Sequence, residues 1–191
     1  MEKRYSGNGR NWKTRLLIEL MIEGLRLSKD FYTRDVLEVA PDLPGKILVI
    51  NLANGSCGRF KITEVEAYRG SEDKACHASK GRTSRTEIMF HEGGRLYIYL
   101  IYGMYWMLNI VTADKNIPQA VLIRGVDGFY GPGKLTKSLG IDKSFYGEDL
   151  VLSDRIWVED SGIIQSVKNG RRIGIDYAGE YWKLRPWRYY L

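Results

Sequence analysis

Residues 95–112, RLYIYLIYGMYWMLNIVT, restrict the fold more than any other stretch of the chain. Tyrosine, isoleucine, valine and tryptophan crowd both sides of one glycine, and such residues favour strands. Glycine in a strand pattern marks a sharp tip, so the run predicts two strands about Gly103 with aromatic rings on both arms. QAVLIRGV (residues 119–126) predicts another strand. Upstream, KILVINL and RFKITEVEAY flank Asn54-Gly55, a tight-turn pair, and together read as an antiparallel hairpin. Helical texture lies elsewhere. Leu16, Leu17, Leu20, Met21 and Ile22 recur near helical period within residues 13–27. Ser28 or Asp30 can cap a second helix running to about Leu43, with Pro41 as an interruption and Pro44-Gly45 as a stop, and Gly133 can open a short helix in GPGKLTKSLGI. Residues 69–95 are polar, basic and glycine-dotted, the texture of a long, functional surface loop. Helices followed by hairpins predict an α+β fold.

A chain of 191 residues with 44% apolar content can bury one sizeable core, and a single domain is expected, with residues 1–12 a flexible basic arm. The formal charge of +6 favours a polyanionic partner. No window approaches eighteen consecutive apolar residues, and the N-terminus lacks the apolar core of a secretory signal, so an intracellular location away from membranes is expected. Two cysteines, Cys57 and Cys76, make no disulfide framework, and two histidines, His77 and His91, make a poor ligand set for a metal. No metal or cofactor is expected.

In ITEVEAY, alternation puts Ile62, Glu64, Glu66 and Tyr68 on one side of a strand and Thr63, Val65 and Ala67 on the other. Such carboxylates are either solvated or line a cleft. Tyr97, Tyr99, Tyr102 and Tyr105 are half-buried strand aromatics, or a stacking surface for unpaired bases, where each stack contributes roughly 1–3 kcal/mol. Arg124, ending an apolar strand, suits an ion pair. Asn109 needs partners for its amide inside an apolar strand, whether it braces the fold or reads a ligand.

EVEAYRGSEDKACH, RTEIMF, LYIYLIYGMYWMLNIVT, AVLIRG, GPGKLTKSLGI and RIGIDYAGE, in this order over residues 27–191, resemble the alkyladenine (3-methyladenine) DNA glycosylase family. The resemblance implies a single mixed domain: a curved, largely antiparallel sheet, surrounding helices and a protruding β-hairpin. It also implies an enzyme that flips alkylated or deaminated purines out of double-stranded DNA; with no motif lysine beside Glu66 it is expected to be monofunctional and to leave an abasic site, and a monomer is expected.

Carried over by position, the resemblance makes Glu66 the base that activates water, with Arg124 and the main-chain carbonyl of Ile173 near that water. Tyr68, His77 and Tyr99 become walls of the base pocket, and Asn109 the residue that disfavours guanine. Tyr102 becomes the wedge at the hairpin tip, beside Met104. Lys80, Arg82, Arg85, Lys134 and the tail arginines are the candidate phosphate contacts, expected to make binding salt-dependent.

The sequence departs from the family after Arg124, where Arg-Gly-Val-Asp-Gly replaces Arg-Ala-Leu-Glu-Pro and predicts a looser backbone. Tyr105, Trp106 and Cys76 also differ or sit beside pocket positions. Two other readings compete. A non-catalytic nucleic-acid binder would keep the aromatic and basic surface without needing Glu66. A carbohydrate glycosidase would want paired carboxylates such as Glu64 and Glu66, but the positive charge disfavours a neutral sugar.

Overall fold

The computed structural model describes residues 25–53 and 55–191. The basic arm 1–12, Asn54 and all but the end of the helix read over 13–27 lie outside the described residues. That end is not helical. Arg26 forms an isolated antiparallel bridge with Glu159, and the Leu27 N–H donates to the Val158 carbonyl at 2.9 Å.

The described residues form one nine-stranded sheet in which every pairing is antiparallel. Its main path pairs six strands: β3 (Leu96–Ile101), β4 (Tyr105–Thr112), β5 (Gln119–Val126), β2 (Cys57–Arg69), β1 (Ile47–Asn51) and β7 (Ile156–Glu159). The short strands β6 (Phe129–Tyr130), β8 (Lys168–Gly170) and β9 (Arg188–Tyr190) complete it. In β5, flanked by β4 and β2, Arg124 alone is not buried. A strand covered on both faces reads as an apolar run, and this explains AVLI.

Alternation in β2 fails at one place. The β2–β5 ladder shifts register on both sides of Glu64, and Ile62 joins Val65 and Ala67 in the main core instead of sharing a face with Glu66. The two shifts cancel, and Val126 and Ile123 of β5, three residues apart like Ile62 and Val65, also enter the core, so both strands change face together at this irregularity. The sequence period alone does not disclose it.

The helix expected from Ser28 or Asp30 to Leu43 is two helices, α1 (Lys29–Tyr32) and α2 (Val36–Asp42). The break has a tertiary cause. The carbonyls of Tyr32 and Arg34 accept from the Ala113 N–H, and Asp35, in extended conformation, caps α2 by accepting from the Leu37 N–H at 2.9 Å. The Asp35 carboxylate also takes Arg69 and Gln119, while the Gln119 side-chain Oε1 accepts from the Val36 N–H at 2.7 Å. These bonds join the start of α2 to the ends of β2 and β5. Pro41 lies within α2.

α3 (Pro132–Leu139) begins with proline as its first residue and ends at Gly140 in left-handed conformation. Gly133 is therefore the second residue of α3, not its opening. A Cβ there would lie 2.8 Å from the Tyr105 ring, so the missing side chain lets α3 close on the β3–β4 hairpin. After Arg124, Gly125 and Val126 continue β5, paired to both β2 and β6. A Cβ on Gly125 would meet the Thr63 hydroxyl at 2.9 Å, which gives a packing reason for the glycine.

Residues 69–95 are not a plain surface loop. They contain 3₁₀ turns at His77–Lys80 and Glu87–Phe90 and bury Cys76, Ala78, Ile88 and Met89 against Tyr97, Val111 and Ala120. Apolar residues scattered among charges carried too weak a period to announce this second, smaller core. The last helix, α4 (Glu180–Lys183), leads into β9. Among the described residues no helix is long and apolar enough to cross a membrane.

Candidate active site

Glu66, on β2 opposite Leu122 of β5, is fully buried. An unpaired buried carboxylate is costly, and this one is satisfied from three directions. The Ile173 N–H donates to Oε1 at 2.7 Å, the Tyr68 hydroxyl donates to Oε2 at 2.8 Å, and Arg124 Nη1 lies 3.4 Å from Oε1. Burial pushes the Glu66 carboxyl above the usual range, while Arg124, the Ile173 N–H and the Tyr68 hydroxyl pull it back. Glu64 is occupied differently: Arg124 Nε and Arg188 Nη1 donate to it at 2.9 and 3.1 Å.

Tyr68, Arg124 and Ile173 separate Glu66 from a cavity of about 510 Å³ that all three line. His77, Tyr99, Asn109 and Tyr102 line it as well, so residues from β2, the 69–95 segment, β3, β4, β5 and the C-terminal segment converge on one hollow. The His77 and Tyr99 rings meet edge to face, with centroids 4.6 Å apart. His77 Nδ1 is 2.8 Å from the Tyr97 hydroxyl. Burial, with Arg85 and Lys80 nearby, lowers the His77 pKa to about 4, so its imidazole is neutral near pH 7. Asn109 lies on β4, and its amide nitrogen donates to the Tyr97 and Met107 carbonyls at 3.0 and 3.3 Å. These bonds fix the orientation of the side chain in the cavity wall.

Tyr102 and Met104 occupy the β3–β4 tip, 85% and 63% exposed. Tyr102 has φ of +50°, a conformation an aromatic residue rarely adopts, followed by Gly103 at +68°. A strained, exposed tyrosine at the cavity's edge is the kind of outlier that accompanies function.

The phosphate candidates divide. Lys80, Arg85 and Lys134 are exposed. Arg82 is not free, because Nε and Nη2 donate to the two oxygens of Glu87 at 2.8 and 2.6 Å. Arg172, among the tail arginines, is buried: its guanidinium binds both oxygens of Asp73 at 2.5 and 3.0 Å and the Ala67 carbonyl at 2.9 Å. It also lies 4.9 Å over the Tyr68 ring.

Sequence reasoning missed this Arg172–Asp73 pair, whose partners lie far apart in the chain. It also missed Lys74 and Tyr177, which join the cavity wall. No sequence period carries such meetings. Cys76 lines the cavity too, its thiol pushed up to about 12 chiefly by burial. No group of three or more His, Cys, Asp or Glu that could hold a metal occurs among the described residues.

The family model described as Methylpurine-DNA glycosylase (MPG) matches residues 30–129 and 126–191. A protein of Methanocella arvoryzae, provisionally named a 3-methyladenine DNA glycosylase, is 45% identical over 184 residues, covering 86% of this chain and 91% of its own. Similarly named proteins of Clostridium novyi and Bacillus velezensis are 43% and 39% identical, each covering 94% of its own length and 87% and 88% of this one.

Proposed function

Because the chain belongs to the methylpurine-DNA glycosylase family, and so is a DNA glycosylase that hydrolyses N-glycosyl bonds, we propose that it excises alkylated or deaminated purines, of the 3-methyladenine or hypoxanthine kind, from duplex DNA. The observation that carries this reading is Glu66, a buried carboxylate held by three donors directly behind a ring-lined cavity. A binder without chemistry gains nothing from a carboxylate there, where it would repel phosphates.

In this mechanism the damaged nucleotide swings out of the helix, at a cost of a few kcal/mol that is smallest where pairing is already weak. Tyr102, with Met104 beside it, fills the space left behind. The base enters between Tyr68, His77 and Tyr99, and Asn109 opposes the exocyclic amino group of guanine. A water near Arg124 and the Ile173 carbonyl attacks the anomeric carbon. The C–N bonding pair leaves with the purine, and the water's proton passes to Glu66. Ionised Glu66 also favours the positive charge developing on the sugar. An alkylated purine that already carries positive charge leaves readily, whereas a neutral one must gain a proton. The product is an abasic site, formed without metal or cofactor by a monomer.

Chromatography of DNA treated with a methylating agent tests the reading: wild-type protein is expected to release free 3-methyladenine. Tight binding to the methylated DNA with no base released would assign the chain to the binders.

The same geometry sets a pH dependence. Glu66 must be ionised to act as a base, so the rate falls as pH drops through its raised pKa. The Tyr68 hydroxyl lowers that pKa, and Tyr68→Phe keeps the ring while removing the donor. The acid limb of the single-turnover rate profile is expected to move to higher pH in Tyr68→Phe. A limb at unchanged pH would show that Glu66 does not control it.

A further inference from the structure

We infer that Lys74, with Lys80 and Arg85, forms the edge of the cavity that grips DNA phosphates, and that Arg82 serves as an internal brace. This rests on the proposed function and specifies how the same site holds its substrate.

Lys74 follows Asp73, and the two point to opposite environments. Asp73 is buried on Arg172 and accepts from the Arg69 N–H at 3.1 Å and the Ala75 N–H at 3.0 Å. The Cys76 N–H donates to the Asp73 carbonyl at 2.8 Å, and the Tyr177 hydroxyl donates to the Ala75 carbonyl at 3.1 Å. The turn is therefore held at both ends. Lys74 projects from it, exposed and in the cavity wall, with no carboxylate partner among the described residues. A cation on a fixed base loses less freedom on binding a phosphate than one on a mobile loop.

Lys80 continues this edge. It too lines the cavity, is exposed and lacks a carboxylate partner among the described residues. Arg85 lies 5.0 Å over the Tyr99 ring. Arg82, by contrast, has a two-point pair with Glu87 and lies 5.2 Å over the Phe90 ring, so its side chain ties the segment before the second 3₁₀ turn to both ends of that turn. A phosphate would have to displace that carboxylate. In the C-terminal segment, next to the wall residues Ile175 and Tyr177, Asp176 and Glu180 share Lys183 at 2.7 and 3.8 Å, two carboxylates for one cation. The backbone of the damaged strand is thereby directed along the Lys74 edge.

Fluorescence anisotropy on a duplex bearing a stable abasic analogue measures this without excision. Each phosphate contact contributes about 0.9 to the slope of log affinity against log salt, roughly 3.5-fold in affinity between 50 and 200 mM. Lys74→Ala is expected to lower the slope by about that amount, and Arg82→Ala to leave it at the wild-type value. An unchanged slope for Lys74→Ala, or a lower one for Arg82→Ala, overturns the inference while the function stands. A wild-type protein that fails to bind the duplex removes both.

Discussion

Asp73→Ala is expected to lower stability by about 3–5 kcal/mol, because it leaves the Arg172 guanidinium buried without its counter-charge. In a protein of this size that corresponds to a melting temperature lower by roughly 6–20 °C, a large part of the whole. The loss is not local. Arg172 also holds the Ala67 carbonyl and covers the Tyr68 ring, and its neighbour Ile173 supplies the N–H on Glu66. Asp73 itself accepts from the Arg69 and Ala75 N–H groups. The double variant Asp73→Asn/Arg172→Met is expected to recover part of the loss, because it removes the stranded charge and keeps an acceptor for one of those two N–H groups. Thermal melts of both variants check this. A single variant melting within 2 °C of wild type would show that the pair does not hold the site together.

Glu66→Gln is expected to reduce excision by about 10²–10⁴-fold, the usual contribution of a positioned base. Its stability should move the other way. Burial raises the Glu66 pKa above 4.5, so the stability this group contributes is full below that value and is lost as pH rises through the raised folded value. Glutamine stays neutral throughout and avoids that loss, while its carbonyl can still accept from the Ile173 N–H. At pH 7 the variant should melt no lower than wild type, the outcome expected where a residue is kept for chemistry at a cost in stability.

Much of this was readable from local pattern. The two hairpins and β5 followed from strand-forming runs with glycine or turn residues between them, and the order of short motifs pointed to the family. Physical causes that act across the fold were not readable. The ladder irregularity at Glu64 goes with Ile62 lying in the core, and a local irregularity of this kind leaves no mark in the hydrophobic period. Helices α1 and α2 separate because Ala113, far along the chain, takes the carbonyls a continuous helix would need. Arg172 reads in the sequence as a surface cation of a basic tail, because its buried partner Asp73 lies far away along the chain. Of the site, the pocket rings and Glu66 were legible through motif; the Tyr97 hydroxyl beside His77 and the wall residues Lys74 and Tyr177 were not.

The most direct measurement is the single-turnover rate of excision from a duplex with one hypoxanthine, compared for wild type and Glu66→Gln, with the affinity of each for that duplex taken in parallel. Undiminished affinity with a rate lower by two orders of magnitude or more is the predicted result. Equal rates at equal affinity would contradict the assignment of Glu66 as the group that activates water.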